Sequence, residues 1–221
     1  MSRKRIGLLG GTFNPVHFGH LHLAEAAMRE CNLDQVVFIP SALPPHKDET
    51  SIASFADRVA MLQKAGANEN RFTCTTIEGQ LPTPSYTIDT LRALEGTFPK
   101  DALIFFIIGI DAFLDLLTWK SYEEILRRVA LVVAQRKGYS IEELYTFLMM
   151  LNYVDQGHCW QGRNGKNTVY LLNALPGDYS STAIRGKLQK GVFSDQDVPG
   201  EVIEYIKQHN LYQPERITIP L

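Results

Sequence analysis

The strongest constraint on the fold is an alternation between two kinds of segment along the chain. Short apolar runs rich in β-branched residues alternate with longer segments whose apolar residues recur at helical spacing. Because parallel strands need a crossover connection, which a helix usually supplies, this alternation predicts an α/β fold. The predicted strands cover residues 5–9, 35–39, 72–77, 103–108, 129–134 and 168–172.

The segments between these runs have the periodicity of amphipathic helices. Three of them follow a serine that has an acidic residue three positions later, which is the spacing of a helix capping box. Those pairs are Ser54 with Asp57, Ser121 with Glu124 and Ser140 with Glu143. The predicted helices cover residues 20–31, 55–67, 86–94, 122–127, 141–151, 182–189 and 200–209.

The order of these elements predicts a doubly wound, Rossmann-like parallel sheet with helices on both faces. A length of 221 residues suits one domain, residues 1–221, with an extra helix and loop around residues 138–167. In such a sheet the ligand lies at the carboxyl ends of the strands. Residues that follow a strand directly are therefore the candidates for chemistry.

Composition excludes several classes of protein. The net charge is −2, so no overall basic field predicts a nucleic-acid partner, and no apolar run reaches the roughly 20 residues of a membrane span. The N-terminal apolar stretch is too short for a signal peptide, which makes the cytoplasm the expected location. Cys31, Cys74 and Cys159 are far apart and indicate neither a disulfide framework nor a zinc knuckle. The sequence leaves open whether the chain forms a homo-oligomer.

The first predicted strand runs directly into the string GGTFNPVHFGH at residues 10–20, and a helix follows. Gly10 and Gly11 allow backbone N–H groups to approach a phosphate, and the helix N-terminus adds a positive dipole end. His17 and His20 are three residues apart and could face the same cluster of oxygens. This string predicts a nucleotide site.

Other readings of this string are weaker. The dinucleotide fingerprint G-x-G-x-x-G is absent and the second strand ends in Pro40-Ser41 without an acidic residue, which disfavours a dehydrogenase. There is no Walker motif for a P-loop enzyme. A lone His-x-x-His is often incidental, and no further histidine or cysteine completes a zinc site at a recognisable spacing.

A second string, YSSTAIR, begins at Tyr179 and opens another predicted helix. Serine and threonine at a helix start are ordinary capping residues. Capping does not explain Arg185, which lies one turn into the helix and could neutralise phosphate oxygens.

Both strings resemble the two signatures of the nucleotidyltransferase superfamily, G-x-F-x-P-x-H-x-G-H and I-S-S-T-x-x-R. Three further stretches resemble the bacterial nicotinate-mononucleotide adenylyltransferases in particular: PPHK at residues 44–47, PSYTIDTL at 84–91, and IGID at 108–111 with Thr118-Trp119 after it. The chain departs from the family pattern at Asn14, Lys120, residues 135–138 and Tyr179, and the last of these we interpret as a packing position.

The resemblance implies an enzyme that transfers AMP from ATP to nicotinate mononucleotide, giving deamido-NAD and pyrophosphate in NAD biosynthesis. Mg²⁺ would arrive with ATP, and no resident metal is predicted. The catalytic candidates are His17, His20 and Arg185. The ATP-binding candidates add Gly10, Gly11, Thr12, Phe13, Gly109, Asp111, Ser181 and Thr182. The mononucleotide candidates are Lys47, Thr87, Trp119 and Arg136.

The sequence also suggests how an acid could be preferred over an amide. Thr87 and the segment from Trp119 to Ser121 lie at predicted helix starts, so each could aim free backbone N–H groups at a carboxylate. Trp119 would stack on the pyridine ring. The alternatives are a transferase acting on nicotinamide mononucleotide or phosphopantetheine, and a nucleotide-binding module without turnover.

Overall fold

The computed structural model describes residues 3–43, 52–173 and 177–213. In these parts of the chain, eight strands form one sheet whose spatial order is β3-β2-β1-β4-β5-β8-β7-β6. The strands are β1 (Arg5–Gly11), β2 (Gln35–Pro40), β3 (Phe72–Cys74), β4 (Leu103–Gly109), β5 (Ala130–Ala134), β6 (Tyr153–Asp155), β7 (Trp160–Gly162) and β8 (Val169–Leu172).

The first six strands of this order run parallel, and the remaining two pair antiparallel at one edge. Strand order reverses between β1 and β4, because the chain moves outward from β1 to β2 and β3 before it returns to β4 on the other side. That reversal opens a crevice at the carboxyl ends of β1 and β4, where a doubly wound sheet binds its ligand.

Within the described residues, eight α-helices cover the two faces of the sheet. Apolar side chains of α1, α2, α7 and α8 form the core on one face, and those of α3 to α6 form the core on the other. The helices are α1 (Phe18–Glu30), α2 (Phe55–Ala65), α3 (Thr87–Ala93), α4 (Ile110–Leu114), α5 (Tyr122–Arg128), α6 (Ile141–Met150), α7 (Ser181–Gln189) and α8 (Gly200–Gln208). The predicted doubly wound fold with helices on both faces is confirmed.

The segment predicted as an extra helix and loop contains more structure than expected. Helix α6 is present, but β6 and β7 then form a hairpin that extends the sheet through β8. The expectation of a purely parallel sheet is therefore incomplete. Three-residue strands carry too few alternating positions to be recognised from sequence.

Smaller differences have local causes. The third strand ends at Cys74 and not at residue 77, because Ile77–Gln80 forms a 3₁₀ turn. Ser54 and Ser140 cap their helices through side-chain hydrogen bonds as predicted. The prediction for Ser121 is wrong, because this residue has a left-handed backbone with a φ of 52° and makes no capping bond from its side chain.

None of the helices among the described residues combines the length and apolar character that crossing a membrane requires. The three cysteines are free. Burial raises the pKa of Cys31 and of Cys74 to about 11, so both thiols stay protonated near neutral pH.

Candidate functional site

A cleft of about 610 Å³ lies at the carboxyl ends of the central strands. This volume falls within the range of roughly 300–1,000 Å³ that is usual for ligand pockets. Segments far apart in sequence meet there, because each follows a strand or begins a helix at the same edge of the sheet. The predicted site residues that line it are Gly10, Gly11, Thr12, His17, His20, Thr87, Gly109, Asp111, Trp119, Arg136, Ser181, Thr182 and Arg185.

The two signature histidines lie face to face at the start of α1. Their ring centroids are 3.7 Å apart with an angle of 23° between the planes. The backbone N–H of His17 donates to Nδ1 of His20 at 3.2 Å, which fixes the orientation of the second ring. Both side chains line the cleft, so they can present polar ring atoms to one ligand.

Burial controls the charge of His17. Its residue is only 6% exposed, and this desolvation, assisted by the positive charge of Arg136, lowers the pKa of the imidazole to about 4. The Nδ1 atom of His17 is buried without a hydrogen-bond partner among the described residues. His17 is therefore a neutral group near pH 7 that can orient a ligand by hydrogen bonding and cannot act as a resident cation.

The glycines after β1 have two different reasons to be glycine. A Cβ at Gly11 would lie 2.9 Å from the Phe13 ring, whereas one at Gly10 would make an ordinary 3.5 Å contact with Phe106. Phe13 itself is 1% exposed and packs edge-on against His20. The Phe13 ring therefore supports His20 from behind, and only the backbone of Phe13 could take part in the predicted phosphate cradle.

Hydrogen bonds join the second signature string, residues 179–185, to the first, residues 10–20. Ser181 donates to the carbonyl of Pro15 at 3.3 Å, and Arg185 donates from Nη1 to the carbonyl of Asn14 at 2.9 Å. The capping residue of α7 is Ser180, whose hydroxyl accepts from Ala183. The hydroxyls of Ser181 and Thr182 are thus not the cap, and both residues line the cleft.

Two predicted site residues, the ATP-binding candidate Asp111 and the mononucleotide-binding candidate Arg136, form an ion pair with each other. Arg136 donates to Asp111 at 2.6 Å, and both side chains are partly exposed. A Cβ at Gly109 would collide with the Asp111 carboxylate. The glycine therefore permits the position of this ion pair at the end of β4.

The two segments predicted to supply N–H donors to the pyridine carboxylate differ in the structure. Thr87 begins α3, and its N–H makes no hydrogen bond within the described part of the chain. In the segment from Trp119 to Ser121, the N–H of Trp119 donates to Leu116 at 3.0 Å, so the prediction of a free donor is wrong for this residue. The N–H groups of Lys120 and Ser121 make no hydrogen bond among the described residues. The Trp119 ring packs edge-on against Phe106 and lines the cleft, which suits a stacking role.

Sequence reasoning missed two residues in this cleft. Glu78 is 7% exposed and accepts from the Thr90 hydroxyl at 2.7 Å and from the N–H of Ala42 at 3.1 Å. Tyr179 was interpreted from the sequence as a packing position. Its ring lies nearly parallel to that of His17, with 5.9 Å between the ring centroids, and the residue also lines the cleft. Only the substitution of isoleucine in the family pattern marked Tyr179, and nothing in the sequence around Glu78 marked that residue.

A buried arginine fixes the loops behind the cleft. Arg58 is 1% exposed and donates to four backbone carbonyls, and Glu78 supplies an opposing charge near it. This guanidinium joins the loop after β1 to the loop after β2. The acceptors are those of Thr12, Ser41, Ala42 and Ala53.

One predicted site residue, Lys47, lies outside the described residues, as does the whole stretch of residues 44–47. Among the residues that are described, no group of three or more histidine, cysteine, aspartate or glutamate side chains could hold a metal ion.

Comparison with known proteins identifies relatives along most of the chain. The cytidylyltransferase-like family model matches residues 8–187. A probable nicotinate-nucleotide adenylyltransferase of Desulfotalea psychrophila is 43% identical over 211 residues, covering 95% of this chain and 100% of the relative. A protein of the same name from Geobacter sulfurreducens is 39% identical over 214 residues, covering 94% and 98%. These relatives confirm the resemblance drawn from the sequence.

Solved structures share the fold. Plasmodium falciparum nicotinic acid mononucleotide adenylyltransferase complexed with NaAD superposes with a TM-score of 0.73 at 19% identity, covering 95% of this chain and 98% of that chain. A protein from Vibrio parahaemolyticus, described as a putative nicotinate-nucleotide adenylyltransferase, superposes with a TM-score of 0.64 at 19% identity, covering 95% of this chain and 96% of that chain. At this identity the structures support the fold, and the family model and the curated relatives show that the chain belongs to the cytidylyltransferase-like family.

Proposed function

We propose that this protein transfers the AMP part of ATP to nicotinate mononucleotide, giving deamido-NAD and pyrophosphate. The observation that carries the proposal is the meeting of α1 and α7 at one cleft, where His17, His20 and Arg185 come together. The names of the curated relatives, nicotinate-nucleotide adenylyltransferases along their full length, support the choice of substrate.

In the proposed reaction an oxygen of the mononucleotide phosphate attacks the α-phosphorus of ATP in line. A new P–O bond forms as the bond to the β-phosphate oxygen breaks, and pyrophosphate leaves with the electron pair. The attacking oxygen is ionised near neutral pH, so no general base is required. Catalysis then depends on positioning and on stabilising charge in the transition state.

The histidines and the residues of the second signature would contact different parts of the triphosphate. His17 is neutral and His20 is held by the His17 backbone, so both can donate preorganised hydrogen bonds to phosphate oxygens. Arg185, Ser181 and Thr182 lie at the start of α7 and would stabilise the leaving pyrophosphate. Backbone N–H groups of residues 10–13 would complete the cradle.

The ion pair between Asp111 and Arg136 would open when substrates bind, and each residue would contact a different substrate group. Asp111 is placed to accept from a ribose hydroxyl, and Arg136 to neutralise the mononucleotide phosphate. Lys47 stays a candidate for the same phosphate. Mg²⁺ would enter as part of the ATP substrate, since the described residues offer no cluster of ligands for a resident ion.

Trp119 would stack against the pyridine ring, and acid selection would rest on N–H donors from two segments. These are the N–H of Thr87 and those of Lys120 and Ser121, which make no hydrogen bond within the described part of the chain. A carboxylate accepts from such a donor with either oxygen. A carboxamide has one carbonyl oxygen to offer, so when that oxygen accepts from one segment its NH₂ faces the donor of the other, and that bond is lost.

The test of the proposed function is pyrophosphate release from ATP with three candidate acceptors, namely nicotinate mononucleotide, nicotinamide mononucleotide and phosphopantetheine. We expect the nicotinate compound to support the fastest release, with deamido-NAD identified by mass. Fastest release with phosphopantetheine would assign another transferase. Tight ATP binding without release for any acceptor would indicate a binding module without turnover.

A further inference from the structure

The junction of the two signature strings is held from a third direction, by the C-terminal part of the chain. Asn14 lies in the first string and is 3% exposed. Its carbonyl accepts from Arg185, and its side-chain oxygen accepts from the N–H of Ala53 at 3.0 Å. The same Oδ1 accepts from the hydroxyl of Tyr212 at 2.7 Å, across 198 positions of sequence.

Tyr212 lies just after α8 in an unusual backbone conformation. Its φ of 59° is left-handed, which is costly for a bulky residue and persists only where surrounding contacts hold it. The ring packs against the core formed by α1, α2, α7 and α8. Burial raises the pKa of the Tyr212 hydroxyl, so the group keeps its proton and remains a donor throughout the neutral range.

We propose that Tyr212 is a positioning residue for the phosphate half of the cleft. It holds the Asn14 peptide where the carbonyl of Asn14 meets Arg185, and so sets the direction of the guanidinium. The inference rests on the proposed function only in taking the ligand of Arg185 to be a polyphosphate. The Tyr212 hydroxyl touches no reacting atom and acts through Asn14 and Arg185.

The alternative is that Tyr212 merely attaches the C-terminus to the rest of the protein. The chain offers a matched comparison in Tyr205, on α8. Its ring packs against the same core, and its hydroxyl donates to Asp57 on α2 at 2.9 Å. Asp57 also accepts from Ser54, but neither residue belongs to a signature string. Each tyrosine thus makes one hydroxyl bond between the C-terminal segment and the N-terminal half of the chain.

The experiment compares Tyr212→Phe with Tyr205→Phe. Neither change leaves its acceptor without a partner, because Asn14 keeps the N–H of Ala53 and Asp57 keeps Ser54. We therefore expect both variants to fold, with similar small decreases in Tm. Titration with MgATP alone should show an affinity about tenfold weaker for Tyr212→Phe and changed by less than about twofold for Tyr205→Phe. Nicotinate mononucleotide affinity should be unchanged in both variants.

A double-mutant cycle keeps the test decisive. In an Asn14→Ala background, adding Tyr212→Phe should weaken MgATP binding by less than about twofold further, because the shared contact is already gone. Unchanged MgATP affinity in Tyr212→Phe, equal losses in both tyrosine variants, or additive losses in the cycle would each overturn the inference. Failure of the wild-type protein to turn over nicotinate mononucleotide would contradict the proposed function instead, because MgATP binding is measured without an acceptor.

Discussion

The imidazole of His17 shows how burial sets both stability and function at one residue. Its pKa is about 4 in the folded protein, against 6.5 for the ordinary group. Between these values the unfolded chain binds a proton that the folded chain does not. Protonation of His17 therefore does not affect the free energy of unfolding above pH 6.5. As the pH falls from 6.5 toward 4, it lowers this free energy by up to about 3 kcal/mol.

The substitution His17→Gln should remove this dependence. We expect the free energy of unfolding of the wild type, measured by urea titration from pH 7 to pH 4, to fall more steeply than that of the variant. The difference between the two curves isolates His17, because the other titrating groups are shared. Parallel curves over this interval would show that His17 is not buried in its neutral form.

For His20 the prediction concerns turnover. The substitution His20→Ala should lower kcat on the order of a hundredfold, the effect expected for losing one preorganised donor to transition-state charge. His22→Ala is the matched control, since His22 is an exposed histidine on the same helix. A folded His20→Ala protein whose kcat matches that of the control would remove His20 from the mechanism.

The guanidinium of Arg185 is expected to matter through its shape as well as its charge. Its Nη1 donates to Asn14 and its Nη2 to Thr182 at 3.3 Å, a fork that an ammonium group cannot reproduce. Arg185→Lys should weaken ATP binding in titrations and slow turnover, with mononucleotide affinity nearly unchanged. Loss of mononucleotide binding with ATP binding intact would place Arg185 on the other half of the cleft.

The sequence predicted which residues lie at the cleft where a motif is next to a strand end or a helix start. Gly10, His17 and Arg185 line the cleft because their strings lie at strand ends and helix starts, which the topology brings to one edge of the sheet. Glu78 and Tyr212 were not found, because their contacts join distant segments that no local spacing reveals. The side-chain orientation of Phe13 depends on packing against His20 and Phe38, which sequence does not specify.

At the scale of elements, the long periodic segments were predicted well and the short ones were not. All seven predicted helices are present, because each has an apolar face that buries against the sheet. Helix α4 has only five residues and was missed, as were β6 and β7. Elements of this length depend on tertiary contacts more than on their own pattern.

The two serines before α5 and α6 give an element-scale prediction. Ser140 accepts from the N–H groups of Glu142 and Glu143, whereas Ser121 makes no such bond. Ser140→Ala should therefore lower the free energy of unfolding by about 1 kcal/mol, and Ser121→Ala should change it by less than about 0.5 kcal/mol. Urea unfolding at pH 7 measures both, and equal losses would contradict the assignment of the caps.

At the scale of the whole molecule, strand alternation predicted the fold class, but strand order needed the structure. The reversal between β1 and β4 explains why residues 10–20 and 109–111 share a cleft although nearly a hundred residues separate them. Likewise, α7 reaches this cleft because its strand, β8, lies beside β5. Strand order therefore brings the residues of the cleft together, and the chemistry of these residues determines which ligands it can bind.

Discrimination between acid and amide tests the central claim most directly. The measurement is kcat/KM of the wild-type protein for nicotinate mononucleotide and for nicotinamide mononucleotide, at saturating MgATP. One mismatched donor in the pyridine pocket corresponds to about 1.4 kcal/mol, so the ratio should exceed about tenfold in favour of the acid. A ratio near one, or one favouring the amide, would contradict the assignment of nicotinate mononucleotide as the preferred substrate.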